Sequence, residues 1–215
     1  MEFYKNKYTK YKNKYLQLKK SFENLINNKS HDEHSLSSNL SSNPISAISC
    51  FGYDNPNAVI KGKVLFEEIE GGSSESESAS VKIIVNLQGF KPNSVHGFHV
   101  HRYGDISDGC ESMCEHFNPH GCAHGGPDDI ERHVGDLGNI IADSEGCVNT
   151  EFIDHMIKLR GIENNVIGRG LIVHEDQDDC GKGNNTQSKT TGNSGKKIGC
   201  GIIGYTRTHT HTHTK

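Results

Sequence analysis

Gly97-Phe98-His99-Val100-His101 sets two histidines one residue apart in a short β-type run, and the reading of the fold starts there. Alternate side chains of an extended strand face the same way, so His99 and His101 can both reach one metal ion. His96 lies three residues before His99, points the other way, and reads as a structural, hydrogen-bonded histidine.

Similar short runs flank this stretch. Residues 58–67 alternate, with Val59, Lys61, Lys63 and Leu65 on one side and Ile60, Val64 and Phe66 on the other. Gly71-Gly72 and the Ser/Glu run 73–79 form a turn before a strand over 81–87. Further strands are predicted over 96–101, 138–142, 147–153, 170–174 and 198–205, after a first one from about Ser46. Eight or so short strands without a convincing helix predict an all-β antiparallel sandwich or barrel. Two connections, about 103–135 and about 175–197, are too long for hairpins. Long loops of this kind are usually functional, and these carry most of the histidines.

A chain of 215 residues has room for one ordinary domain plus tails. Its 24 glycines, absent tryptophan and few aromatics favour turns and short strands over long helices. The net charge of −4 is unevenly spread: eight lysines in residues 1–30 face only Glu2 and Glu23, so this arm carries +6 and the remainder −10. An acidic body with a basic arm argues against a nucleic-acid-binding core. No apolar run has the length of a membrane span, and the start lacks an apolar leader core, so an intracellular, cytoplasmic address is expected. Seven cysteines are an odd number, leaving at least one without an intramolecular partner.

Three regions follow from these patterns. Residues 1–45 form a basic extension and linker, 46–206 the β domain, and 207–215 a His/Thr tail. In the extension, Tyr4, Tyr8, Tyr11, Tyr15, Leu18, Phe22 and Leu25 step by four and three, the a/d repeat of an amphipathic helix. Tyr is a poor a/d residue, so a partly disordered tail is the competing expectation. In the tail, His209, His211 and His213 alternate with threonine and would make a weak chelator if the segment were extended.

Beyond the first pair, His116, His124, His133 and Asp136 follow at spacings x7, x8 and x2, and Val173-His174-Glu175 lies farther on. A single histidine in a loop is usually polar surface, but seven donors in this arrangement are not coincidence. Imidazole suits copper and zinc alike, and the set His116, His124, His133 and Asp136 has the makings of a closed tetrahedral zinc site. Two ions sharing a ligand is the expectation.

At these positions the residues match a known family. The stretches 97–101, Gly104-Asp105, Gly109-Cys110, His116-Phe117-Asn118-Pro119, His124-Gly125-Gly126-Pro127, 132–139, Ile167-Gly168-Arg169, 173–175 and Gly181-Lys182-Gly183 closely resemble copper/zinc superoxide dismutase. The likeness runs from about Lys61 to Tyr205 with the same internal spacing. It implies an eight-stranded Greek-key barrel, one copper and one zinc per subunit, and superoxide as substrate. Copper would take His99, His101, His116 and His174, and zinc His116, His124, His133 and Asp136, with His116 bridging as an imidazolate. Asp178 would hydrogen-bond a ligand of each ion, and Cys110 and Cys200 would form a disulfide. His120 stands where the family has no histidine and is set aside.

The resemblance further implies dismutation to dioxygen and hydrogen peroxide, with His116 and Lys197 taking part and Lys182 and Lys197 guiding the anion. Near-diffusion-limited turnover is a property of the family and not of anything read from these residues. Where the family has its active-site arginine this chain has Lys197, which keeps the charge and loses the planar fork. Thr186, Gln187 and Thr190 replace charged residues of the guiding loop, with Lys189 and Lys196 nearby. A homodimer is implied, with Tyr103, Ile167, Ile202 and Tyr205 near the contact surface, and so is a copper chaperone. The Lys, Asn and Ile richness of the extensions fits AT-biased coding, as in some large DNA viruses, which would put the protein in a virion or host cytoplasm. The rival readings are a copper-binding or copper-delivery domain of the same fold without dismutation, and a structural or interaction protein whose metals serve stability alone.

Overall fold

In the computed structural model the described residues are 45–53, 55–69 and 80–207. The helix predicted in the extension and the His/Thr tail lie outside them. Ten strands are described: β1 (Ser46–Phe51), β2 (Lys61–Ile69), β3 (Ser80–Gln88), β4 (Val95–His101), β5 (Ser107–Cys110), β6 (Asp136–Ile141), β7 (Cys147–Asp154), β8 (Gly170–His174), β9 (Lys197–Ile202) and β10 (Gly204–Tyr205). A 3-10 turn (Glu111–Met113) follows β5, and a single helical turn, α1 (Ser188–Thr191), lies in the second long connection.

Nine of the strands form two sheets, both antiparallel: β10-β1-β2-β3-β7 and β6-β4-β8-β9. Alternation along β2 and β3 sends Val64 and Phe66, and Val81, Ile83, Val85 and Leu87, into a buried core. Phe98 and Val100 of β4 and Leu171 and Val173 of β8 belong to the same core, paired as Phe98↔Val173 and Val100↔Leu171. Truncating a buried Phe such as Phe66 or Phe98 to Ala would cost about 3–5 kcal/mol.

The four-stranded sheet differs from the other in being covered on both faces. His99, His101, Ile172 and His174 lie on the face away from that core, yet all are at most 3 % exposed. The two long connections cover them, so β4 and β8 are buried at every position from His96 to His101 and from Gly170 to His174. Gly170 sits where Met113 of the first connection packs down: a Cβ there would lie 2.2 Å from the Met113 sulfur. The same connection is tied to β9 by the disulfide Cys110–Cys200, with Cα atoms 5.7 Å apart.

Two predicted strands end differently. The run from Ala58 enters the sheet only at Lys61, although Ile60 is buried and Val59 exposed as the alternation requires. The run 198–205 divides at the fully buried Ile203. Its first part pairs with β8 and its second with β1, so the chain must leave one hydrogen-bond ladder to join the other. The Ile203 backbone bonds instead to Gly168 and Arg169.

Candidate metal centre

On β4, residues 99 and 101 point out of the core for the reason their spacing predicts, and antiparallel pairing with β8 brings His174 beside them. The first long connection returns to β4 at His116, which bridges to His101 and carries its ring over the same face. The imidazole centroids of His99 and His116 are 4.0 Å apart, and those of His101 and His174 5.4 Å.

Hydrogen bonds at the far side of each ring decide which nitrogen is free. His99 donates from Nε2 to Asp178 Oδ2 at 2.8 Å, His101 from Nδ1 to the Cys114 carbonyl at 2.7 Å, and His174 from Nδ1 to the Gly195 carbonyl at 3.2 Å. That leaves His99 Nδ1, His101 Nε2 and His174 Nε2 as lone pairs facing one another. His101 Nε2 and His174 Nε2 are 3.2 Å apart, and in these tautomers neither has a proton to donate. His99 Nδ1 and His116 Nε2 are buried without a hydrogen-bond partner among the described residues. Four converging lone pairs on buried rings call for a cation.

A second group lies on the other side of His116. His116 Nδ1 is 2.9 Å from Asp136 Oδ1, His133 Nδ1 is 3.1 Å from the same oxygen, and His124 Nδ1 is 3.0 Å from Oδ2. His124 donates from Nε2 to Asp178 Oδ1 at 2.8 Å, so in the neutral ring its Nδ1 presents a lone pair to a carboxylate. That nitrogen is within ion-pair distance of Asp136 but has no hydrogen-bond partner among the described residues, so without a metal the contact favours a protonated ring and with one the lone pair is free to ligate. His116 therefore has one nitrogen in each group, and Asp178 has one oxygen on a histidine of each.

The electrostatics follow from burial. Removal from water holds His99, His101 and His116 below the ordinary imidazole value, reinforced for His99 and His101 by their neighbours, and lowers His174 to about 4. Burial also opposes protonation of His124, but the carboxylates of Asp136 and Asp178, one on each ring nitrogen, outweigh it and raise that ring to about 9. Burial works against the charge on Asp136 and Asp178, yet their histidine partners hold both well below the usual carboxylate range. A proton on His124 balances in part the negative charge that a divalent ion would neutralise.

All seven donors expected from the sequence are thus brought together, in the groupings His99, His101, His116, His174 and His116, His124, His133, Asp136. The second set, three imidazoles and one carboxylate, has the composition of a closed zinc site. The first, all imidazole, suits copper. His96 stands outside both, held by the His174 carbonyl at Nδ1 and by Ser94 at Nε2. His120 is exposed and bonds Asn164. Lys182 is exposed on the second long connection. Lys197 pairs in register with His174, its ammonium turned to the carbonyls of Cys110, Glu111 and Cys114.

Three contributors were not singled out from the sequence. Arg132, next to a donor, forms a buried ion pair with Asp154 and donates to the Asp136 carbonyl at 2.7 Å. Asn139 holds the backbone of Asp178, and Gly192 lies flat against that carboxylate. Arg132 and Asn139 both lie in the stretch 132–139 that carries the family resemblance, which was the available signal for them. None existed for Gly192.

Residues 60–203 match the family model described as copper/zinc superoxide dismutase. The chain is 54 % identical over 164 residues to the copper/zinc superoxide dismutase of Paramecium bursaria Chlorella virus 1, covering 76 % of this chain and 80 % of that protein. It is 47 % identical over 148 residues to the extracellular copper/zinc superoxide dismutase of Drosophila melanogaster, covering 69 % and 77 %. A crystal structure of the clock protein EA4 is similar with a TM-score of 0.67 and 37 % identity, covering 76 % of this chain and 96 % of that one.

Proposed function

Because this chain belongs to the copper/zinc superoxide dismutase family, we propose that it converts two superoxide ions and two protons into dioxygen and hydrogen peroxide. The observation that carries the reading is the ring of His116, which offers one nitrogen to an all-imidazole group and the other to a group containing a carboxylate. His99, His101, His116 and His174 would hold copper, which would supply the electron exchange through its two oxidation states, and His116, His124, His133 and Asp136 would hold redox-inert zinc, which would fix the loop.

The remaining steps belong to the chain. His116 Nε2 is buried and has no hydrogen-bond partner among the described residues, so it is the nitrogen able to take up a proton and pass it on. Its Nδ1 faces Asp136 at 2.9 Å, so a zinc ion that the two residues would share would keep the ring from turning as that proton moves. Asp178 holds His99 and His124 in the tautomers that aim their other nitrogens inward. Lys182 and Lys197 add positive charge beside a site on an acidic body, which favours approach of a small anion.

The β6–β7 connection and the division at Ile203 both pass from one sheet to the other, which supports reading the two sheets as the family's eight-stranded Greek-key barrel. A homodimer is proposed on the exposed Tyr103, Ile202 and Tyr205 and the half-buried Ile167. Copper and zinc stoichiometry, paired with superoxide consumption before and after chelation, tests the function. One of each metal with activity lost on chelation is expected. Full loading without superoxide consumption would instead favour the copper-delivery reading.

A further inference from the structure

A lysine ammonium has three N–H bonds and no more. Lys197 Nζ lies 3.3 Å from the Cys110 carbonyl, 3.3 Å from that of Glu111 and 3.0 Å from that of Cys114. The Glu111 carboxylate is 3.5 Å away, and only 13 % of the lysine side chain is exposed. The three acceptors span the 3-10 turn that follows the disulfide cysteine of β5, so one ammonium holds both ends of that turn.

The Cys114 carbonyl has a second donor. His101 Nδ1 reaches it at 2.7 Å, which orients that ring and leaves its Nε2 facing the all-imidazole group. Cys114 presents this oxygen from φ 61°, ψ −138°, a conformation costly for any residue with a Cβ, and one that persists only when its surroundings hold it. Lys197 is one such restraint.

We propose that Lys197 is a positioning residue. Its ammonium pins residues 110–114 and, through the shared Cys114 carbonyl, sets the rotation of His101. With all three N–H bonds directed at backbone oxygens, it attracts the substrate anion by charge and does not donate a hydrogen bond to it. An arginine here would have five N–H donors and so some in reserve, which separates this chain from one carrying the guanidinium. The inference rests on the copper assignment proposed above.

The test compares wild type, Lys197→Met and Lys197→Arg, each loaded with copper and zinc, using azide as the probe anion. Readouts are the cupric paramagnetic resonance spectrum, azide affinity at low ionic strength, and the rate at which dithiothreitol reduces Cys110–Cys200. For Lys197→Met the expected result is an altered spectrum and disulfide reduction several-fold faster, with azide binding weakened no more than about threefold by loss of one charge. Lys197→Arg should restore spectrum and reduction rate and tighten azide binding. A Lys197→Met protein with unchanged spectrum and reduction rate but azide binding weakened about tenfold or more would overturn the proposal. If Lys197→Met does not fold, Lys197→Arg decides: tighter azide with a wild-type spectrum supports it, and unchanged azide binding overturns it. Loaded wild type that consumes no superoxide would refute the enzyme reading alone, because the spectral and reduction comparisons stand without activity.

Discussion

The side-chain amide of Asn139 clamps the backbone of Asp178 at both polar groups, donating from Nδ2 to its carbonyl at 2.9 Å and accepting its N–H on Oδ1 at 2.8 Å. Asp178 in turn gives one carboxylate oxygen to His99 and the other to His124. An amide on β6 thereby sets the carboxylate that aims a ring in each metal group.

Removing that clamp should be felt by both metals. Asn139→Ala leaves two backbone groups of Asp178 without their partners, a cost of about 1–3 kcal/mol for each that stays dry. Affinity for zinc and copper should fall by about 10- to 100-fold, as measured by competition with a chelator of known strength. Wild-type affinities in this variant would show that Asp178 is held by other means.

Gly192 tests how closely the second connection must approach. A Cβ at this residue, which has φ +66°, would lie 1.7 Å from Asp178 Oδ1 and 2.5 Å from His124 Nε2. Gly192→Ala should displace the carboxylate, lower the zinc content of purified protein and destabilise the fold by about 2 kcal/mol or more. An unchanged melting temperature with full zinc would contradict this geometry.

Cys114 offers a change in the opposite direction. Its positive φ carries a backbone penalty that glycine does not, of about 1–3 kcal/mol, offset in part by the greater freedom of glycine in the unfolded chain. Denaturant unfolding of Cys114→Gly should give a gain of about 1 kcal/mol with copper content unchanged, since only the carbonyl is needed by His101 and Lys197. A loss of stability would mean that the Cys114 side chain contributes more than its conformation costs.

Without metals, stability should peak near the ordinary histidine value of about 6.5. His99, His101, His116 and His174 are held neutral by burial, His174 down to about 4. The unfolded chain therefore binds more protons below about 6.5, and stability falls as the pH drops from there towards 4. His124 has the opposite sign. Raised to about 9, it contributes stability that is full below about 6.5 and lost as the pH rises through 9. Urea midpoints in the presence of chelator at acid, neutral and alkaline pH should trace this dome, and zinc should abolish the alkaline arm by replacing the His124 proton. A flat alkaline arm before zinc is added would refute the charge state given to His124.

The sequence by itself determined the donors and their grouping into short runs, because those depend on the chain's local periods. A two-residue repeat puts His99 and His101 on one face and sends His96 to the other. Two connections too long for hairpins, rich in histidine and glycine, marked the segments that cover them. The positions of Lys182 and Lys197 were legible in the same way, but what the Lys197 ammonium touches was not. Only the tertiary structure decided that it meets three carbonyls 83 to 87 residues away, that Asn139 meets Asp178 across 39 residues, and that Gly192 lies against that carboxylate. Such contacts join backbone oxygens, amides and a missing side chain on strands and loops far apart in the chain. No periodicity links them, and they come into being only when antiparallel pairing and the Cys110–Cys200 bridge bring the segments to one face.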